Sequence, residues 1–145
     1  MESPALYILQ RTVEQTDAQG HANNVLYVQW MQEAAVAHSS AVGLTPERYR
    51  EMGQAFVVRR HVIEYLRPAL RGTTVEVQTW VVNFRGAGSR RCYQFLDART
   101  REVLARAATD WAYIDTARGR PTRIPPEVAR MFPLHKGPFD AIATE

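Results

Sequence analysis

Residues 25–42 read VLYVQWMQEAAVAHSSAV, and this stretch decides the fold. Good helix formers dominate it, and its apolar side chains cover most of the helical circumference instead of one stripe. A helix that is apolar nearly all round is buried, so the rest of the chain must enclose it. We therefore predict a buried helix from Val25 to Val42, with Gly43 as the cap at its C-terminus.

The segments on either side of this helix predict one strand before it and four after it. Residues 6–13 alternate loosely, and residues 45–52 form a short second helix with Thr45 as N-cap, ended by Gly53. The later strands are predicted at residues 56–65, 73–84, 89–97 and 103–115, and a last short helix starts at Pro125. Short turns between strands require antiparallel neighbours, so these four strands are expected to form a meander.

A sheet with one apolar face can bury the long helix by curling around it, and no other part of the chain could cover it. The expected fold is α+β: the hotdog fold, a five-stranded antiparallel sheet curled around a long central helix. No repeat or linker divides the sequence, so residues 1–145 are expected to form a single domain. Such a sheet leaves strand edges open, and pairing of these edges between copies predicts a homodimer or homotetramer.

Composition removes several classes of function. No apolar run approaches the roughly 18 residues that a membrane span needs, so no membrane partner is expected, and the N-terminus lacks the pattern of a signal peptide. The single cysteine, Cys92, cannot form an internal disulfide, and no cluster of Cys and His residues predicts a metal site. These features predict a cytoplasmic protein without a metal.

The chain is mildly basic, with a formal net charge of +3. All but one of its basic residues are arginine, and they are spread along the chain, whereas a nucleic-acid binder usually shows a concentrated patch or a recognisable module. No nucleic-acid partner is therefore expected. A mild excess of arginine suits an anionic small ligand, because guanidinium pairs bidentately with phosphate.

The segment before the buried helix carries the chemistry. Residues 16–27 read TDAQGHANNVLY and place a carboxylate, an imidazole and two amides just ahead of the helix. A helix N-terminus presents unpaired N–H groups and about half a positive charge, which stabilise an oxyanion. A preorganised donor of this kind is worth about 10²–10³ in rate. Asp17 could then attack a carbonyl or deprotonate a water that does, or it could simply cap a turn.

The pattern D-x-x-G-H-x-N-N-x-x-Y, found at Asp17, Gly20, His21, Asn23, Asn24 and Tyr27, resembles the signature of the 4-hydroxybenzoyl-CoA thioesterase group of the hotdog superfamily. The resemblance covers about residues 6–128 and includes WMQE at 30–33, YLRP at 65–68 and RPTRIP at 120–125. It implies hydrolysis of an acyl-CoA to the free acid and CoA. Asp17 would be the catalytic nucleophile or base, and the backbone amides of Asn24 and Val25 would form the oxyanion site.

The remaining motif residues have secondary roles in this hypothesis. His21 and Asn23 would join Asp17 as catalytic residues, with His21 as a general base or a donor that orients the carbonyl and Asn23 positioning the substrate. Alternatively, His21 stabilises the fold and one of the two asparagines caps the helix. Tyr27 would line the acyl pocket or pack in the core. No cofactor is expected, because a thioester is already activated and water is the second substrate.

Three residues after a Gly-Ala-Gly turn are candidates for binding the nucleotide phosphates of CoA. They are Ser89, Arg90 and Arg91, and the alternative is an ordinary exposed strand end. Glu33 lies in an otherwise apolar helix and must therefore have a partner, so we predict a structural ion pair in preference to a catalytic carboxylate.

Two further similarities leave alternatives open. The segment is similar to the plant acyl-ACP thioesterase motif D-x-N-x-H-V-N-N, with Asp17 and His21 matching but Gln19 and Ala22 in place of Asn and Val, so the carrier is either CoA or acyl carrier protein. A hotdog dehydratase is disfavoured, because one branch has Phe-Pro after its Gly-His and this chain has Ala-Asn-Asn. A non-catalytic acyl-CoA-binding module remains a further alternative.

Overall fold

The computed structural model describes residues 4–137. Its long helix, α1, spans Asn24–Ala41 and begins and ends one residue before the predicted bounds. Asn23 is extended and caps the first turn, while Val42 caps the last turn and Gly43 follows it at φ 102°, a conformation that favours glycine. The buried helix predicted from its composition is confirmed.

The sheet and the two short helices complete the chain. The strands are β1 (Leu6–Thr12), β2 (Gln54–Tyr65), β3 (Thr74–Arg85), β4 (Gly88–Asp97), β5 (Val103–Asp115) and the two-residue β6 (Arg120–Pro121), and the helices are α2 (Pro46–Met52) and α3 (Pro126–Ala129). All of these except β6 were predicted, within two residues at the bounds compared. A two-residue strand has no alternation for a sequence pattern to detect.

The strand order is β1-β3-β4-β5-β2, with antiparallel pairing throughout and β6 beside β5. The predicted four-strand meander is therefore wrong, because β2 pairs with β5 and not with β3. The second edge of β3 is taken by β1, and residues 66–73 carry the chain from β2 to β3. The sheet nevertheless curls around α1, so the predicted hotdog fold is confirmed.

The core lies between α1 and the concave face of the sheet. Alternation along β3 buries Val75 and Val77 against the helix and puts Glu76 and Gln78 on the opposite face. The cluster also contains Leu26, Trp30, Met31, Ala34, Phe95, Ala105 and Ala107. Each large apolar side chain buried there contributes about 1.5–3 kcal/mol to folding.

The described residues contain neither a membrane-spanning helix nor a group of metal-binding side chains. Within residues 4–137, no helix has the length and apolar character that a membrane crossing requires. In the same residues, no three or more His, Cys, Asp or Glu side chains form a group that could hold a metal ion.

Candidate functional site

The loop before α1 is a tight hairpin. An isolated bridge between Thr16 and Ala22 closes its base, and the Asp17 amide donates to the His21 carbonyl at 2.8 Å. The Gly20 amide donates back to the Asp17 carbonyl at 3.0 Å, with Gly20 at φ 79°, where a Cβ would be strained. The glycine of the motif is therefore needed to turn the loop.

The Asp17 side chain belongs to the same loop. Its Oδ1 accepts hydrogen bonds from the backbone amides of Gln19, at 2.9 Å, and His21, at 3.0 Å. Among residues 4–137, none donates a hydrogen bond to Oδ2, and the side chain is exposed. The His21 amide holds the pKa of the Asp17 carboxyl below its ordinary value of 3.8, so this group is a carboxylate at neutral pH. One oxygen orients the group and the other can meet a ligand.

The first residues of α1 offer one free donor. Asn23 caps the helix, since its Oδ1 accepts from the Val25 amide at 3.0 Å and its carbonyl accepts from the Leu26 amide at 2.9 Å. The backbone amide of Asn24 has no hydrogen-bond partner within residues 4–137. Of the two amides expected at the oxyanion site, the described residues leave that of Asn24 unpaired and occupy that of Val25, while Asn23 is the helix cap.

His21 joins the loop to the connection between β2 and β3. It forms an isolated antiparallel bridge with Leu70, and the next amide, of Ala22, donates to the Ala69 carbonyl at 2.7 Å. The imidazole is half-buried, and the charge of His21 contributes to the lowered pKa of the Asp17 carboxyl. The structure thus brings Asp17, His21 and the start of α1 together, as the motif predicted.

Arg71 stabilises this loop and was not found from the sequence. Its guanidinium donates to the Glu14 carbonyl at 2.8 Å and to Thr16 Oγ1 at 3.1 Å. Both acceptors lie more than fifty positions away in the chain, at separations of 57 and 55 residues. No local pattern could indicate this contact.

Large apolar side chains near the loop are exposed. Val25 at the start of α1 is 70% exposed, and Tyr65, Leu66 and Leu70, at the end of β2 and just after it, are 46–56% exposed. A group of exposed apolar side chains beside a charged loop is typical of a binding or interaction surface.

Tyr27 lies in the core. It is 2% exposed, and its ring makes edge-on contacts with Trp30, Tyr65 and Phe95 at centroid distances of 5.3, 5.3 and 5.0 Å. Burial raises the pKa of its hydroxyl to about 12. Of the two roles expected for this residue, packing is the one that these contacts describe.

A large cavity opens at the other end of the sheet, where β2 begins. Its volume is about 680 Å³, and it is lined by the second half of α1, by α2 and by the concave ends of β3 and β4. Ser89 and Arg91 both line it, and the Ser89 hydroxyl donates to the Asn83 carbonyl at 2.8 Å. Ser89 and Arg91, two of the three candidates for binding phosphate, therefore face the interior and do not lie at an exposed strand end.

Arg90 faces away from this cavity. It forms an ion pair with Asp110 on β5 at 3.5 Å, and Asp110 also pairs with Arg60 on β2 at 3.2 Å. Because consecutive strand residues point to opposite faces, Arg90 and Arg91 cannot bind one phosphate group together. The pleat of β4 therefore puts Arg90 on one face of the sheet and Ser89 and Arg91 on the other, so the three residues do not form one phosphate site.

Glu33 has the structural partner that was predicted for it. The Arg11 guanidinium donates to Glu33 Oε1 at 2.6 Å, and the Gln29 side chain donates to Oε2 at 3.1 Å. The hydrogen bond from Arg11 lowers the pKa of the Glu33 carboxyl. Both of its oxygens are occupied, in contrast with Asp17.

The role of His38 was not predicted from the sequence either. This imidazole is fully buried on α1, where it contacts Arg91. The signal was present, because a histidine on a helix that is apolar nearly all round needs a buried partner. Arg91 lies two and four positions before Tyr93 and Phe95 on β4, so all three side chains are on the same face of the strand, and Arg91 faces the helix too.

Comparison with known proteins identifies the family to which the chain is similar. Residues 12–132 match the family model of the thioesterase-like superfamily. A chloroplastic acyl-[acyl-carrier-protein] hydrolase of Cuphea viscosissima is 33% identical over 112 residues, which cover 72% of this chain and 27% of that protein. The chain thus spans only 27% of the length of this curated relative.

Solved structures share the fold at low identity. The 12:0-ACP thioesterase from Umbellularia californica has a TM-score of 0.79 at 24% identity, over 90% of this chain and 52% of that one. A 1,4-dihydroxy-2-naphthoyl-CoA thioesterase from Synechocystis has a TM-score of 0.75 at 21% identity, over 83% of this chain and 90% of that one. Because the family model spans most of its length, the chain belongs to the thioesterase-like superfamily.

Proposed function

We propose that the protein hydrolyses an acyl-CoA thioester to the free acid and CoA, with Asp17 as the catalytic carboxylate. The observation that carries the proposal is the state of this side chain. Its Oδ1 is held by two backbone amides, and within residues 4–137 neither its Oδ2 nor the amide of Asn24, at the start of the following helix, has a hydrogen-bond partner. An oriented carboxylate beside an unused donor suits attack on a carbonyl.

Two routes are compatible with this arrangement. In the first, Asp17 Oδ2 attacks the thioester carbon, the C–S bond breaks, CoA leaves as the thiolate, and water then cleaves the acyl-aspartyl anhydride. In the second, Asp17 takes a proton from a water that attacks the same carbon. In both, the Asn24 amide donates to the carbonyl oxygen as negative charge develops on it, and His21 positions the substrate.

We further propose that the site is completed by a second copy of the chain, paired along β2. Within one protomer, the Asp17 loop lies where β2 ends and the cavity lies where β2 begins. A two-fold pairing of two β2 strands is antiparallel, so it sets the end of one strand beside the beginning of the other. The loop of one protomer then faces the cavity of its partner, where the acyl group would lie.

A second carrier is a candidate on one specific observation. The curated relative from Cuphea viscosissima is named as an acyl-carrier-protein hydrolase. We therefore propose acyl carrier protein as the alternative source of the same thioester. The chemistry at Asp17 is identical for both carriers, because both present the acyl group on pantetheine.

We also propose a reducing, cytoplasmic location. The support is Cys92, the single cysteine, which is a buried free thiol. Burial raises the pKa of this thiol, so it is a poor nucleophile and packs as a small apolar side chain.

The test is release of free thiol from a panel of short, medium, long and aryl acyl-CoAs and from the matching acyl carrier proteins. Asp17→Asn keeps an oxygen that can accept from the two amides but removes the charge, so we expect kcat/KM to fall about 10²-fold or more with folding unchanged. Asp97→Asn is the matched control. Asp97 also accepts two backbone amides in a turn, at 2.9 and 3.2 Å, but lies outside the proposed site.

The outcomes separate the alternatives. Turnover only of carrier-protein substrates would select the second carrier. Full activity of Asp17→Asn would overturn the mechanism, and no turnover of any thioester would favour a binding module.

A further inference from the structure

The cavity at the start of β2 contains a buried cation. Arg91 is only 5% exposed, and its guanidinium donates to His38 Nδ1 at 2.9 Å and to Thr79 Oγ1 at 3.1 Å. Its Cζ atom lies 5.8 Å from the centre of the Phe132 ring. Among residues 4–137, no carboxylate lies within ion-pair distance of this guanidinium. A buried charge without a counter-charge is costly, because it has lost its hydration and gained no ion pair in exchange.

His38 cannot supply that counter-charge, because it is neutral. Its Nε2 lies 2.7 Å from the Pro4 carbonyl oxygen, which can only accept, so Nε2 carries the proton. Its Nδ1 faces a guanidinium that can only donate, so Nδ1 is the lone pair. Burial, with the charge of Arg91, lowers the pKa of His38 to about 4, in agreement with this tautomer. The imidazole orients Arg91 without neutralising it.

Within residues 4–137, the walls around Arg91 do not supply a counter-charge either. The residues that line the cavity include Leu44, Tyr49, Phe56, Phe84 and Phe132, and none of the lining residues is acidic. A second arginine, Arg50, also lines the cavity. A cavity with apolar walls and a fixed cation suits a ligand that is apolar along its length and anionic at one end.

We infer that the cavity receives an acyl group whose far end carries a carboxylate, and that Arg91 pairs with this carboxylate. This inference rests on the proposed function and names its substrate class, the thioester of a dicarboxylic acid esterified at one end. The thioester carbonyl would lie at the Asp17 loop of one protomer, and the free carboxylate would lie beside Arg91 in the cavity of its partner. Guanidinium presents two parallel N–H groups to a carboxylate, which adds geometric selectivity to the charge.

The site differs from the one expected for Arg91 at the start of its strand. A nucleotide phosphate of CoA is large and well hydrated, and it would need a guanidinium at the protein surface. Arg91 is buried beside α1, with access through the cavity. Its ligand is therefore the acyl end of the substrate and not the nucleotide end.

The experiment compares pairs of acyl-CoAs of equal chain length that end in methyl or in carboxylate. We expect the wild type to favour the carboxylate member by about 10–10²-fold in kcat/KM at its preferred length, the range for a hydrogen bond to a charged group. Arg91→Met keeps the volume and removes the charge, so it should lose or reverse this preference. Arg91→Lys should retain part of it. The control is Arg99→Met, in an exposed turn outside the cavity.

A binding measurement keeps this test independent of catalysis. Calorimetric titration with a free dicarboxylic acid and the monocarboxylic acid of equal length should give tighter binding of the diacid to the wild type and an equal affinity of both for Arg91→Met. Equal preference in wild type and Arg91→Met, in both assays, would overturn the inference while leaving thioester hydrolysis intact. If Arg91→Met does not fold, the test is whether Arg91→Lys has a smaller preference than the wild type for the substrate that ends in carboxylate. Absence of any thioester turnover, with selective diacid binding retained, would instead overturn the proposed function alone.

Discussion

Asp17 Oδ1 accepts a hydrogen bond from the backbone amide of His21 at 3.0 Å, within a loop whose two ends are bridged by Thr16 and Ala22. This bond makes the side chain both a structural element of the loop and an ionised group. The same carboxylate therefore serves turn formation with one oxygen and is open to solvent with the other.

The first prediction concerns the pH dependence of hydrolysis. The pKa of Asp17 is lowered from 3.8, and the carboxylate is the active form in the proposed mechanism, so activity should be retained above pH 3.8 and lost as pH falls through the lowered pKa. We expect log kcat/KM to show no acid limb between neutral pH and about 5. Initial rates of thiol release, with intrinsic fluorescence to confirm folding, would measure it. A limb near 6.5, the ordinary range of an imidazole, would assign the base to a histidine instead.

The second prediction concerns the cap of α1. Asn23→Ala removes the acceptor of the Val25 amide and should lower the free energy of unfolding by about 1 kcal/mol. Asn23→Ser should recover most of this loss, because serine is also a good N-cap. Urea unfolding measures both. Asn24→Ala, next in the chain and without a capping bond, is the control, and an equal loss in that variant would contradict the assignment.

The third prediction concerns Glu33, the helical carboxylate. Glu33→Gln should leave thioester hydrolysis unchanged, because Arg11 and Gln29 occupy both oxygens. Stability should fall by no more than about 1 kcal/mol, the range of a partly exposed ion pair. Rates of thiol release and a double-mutant cycle with Arg11→Met would test this. A large loss of activity with folding intact would transfer the catalytic role from Asp17 to Glu33.

The fourth prediction concerns His38 and stability in acid. Its pKa is about 4 in the folded protein and 6.5 when unfolded, so the native state resists a proton that the unfolded chain accepts. The stability linked to His38 is complete above pH 6.5 and declines as pH falls towards 4, by on the order of 2–3 kcal/mol. Across this window, the free energy of unfolding should fall more steeply with decreasing pH in the wild type than in His38→Gln. Parallel curves would exclude a contribution of His38 to this pH dependence. A residual slope is expected in His38→Gln from His61, whose pKa is also lowered.

The fifth prediction concerns the proposed pairing of two chains along β2. Val57, on β2, is 39% exposed, and Val57→Lys should dissociate the proposed oligomer, because lysine at an edge strand opposes pairing. Ile8→Lys introduces the same charge on β1, the opposite edge, at a position 48% exposed, and should leave the mass unchanged. Sedimentation measures the mass of each. Dissociation by Ile8→Lys alone would move the interface to β1.

The elements were predictable because their signals are local. The apolar circumference of residues 25–42 predicted the buried helix, and alternation placed β5 at residues 103–115, where the structure has it. The cap at Thr45 and the stop at Gly53 bound α2 as predicted. Each of these features depends on neighbours a few positions away, which a sequence displays directly.

By itself, then, the sequence determined the buried helix, the strands around it and the motif that sets Asp17 before a helix N-terminus. Only the tertiary structure decided that β2 pairs with β5, that Arg11 neutralises Glu33, and that Arg91, which lines a cavity, contacts His38. The physical reason is chain separation. Arg91 and His38 are 53 positions apart, and their contact depends on how the curled sheet and α1 pack, which no local pattern of side chains encodes.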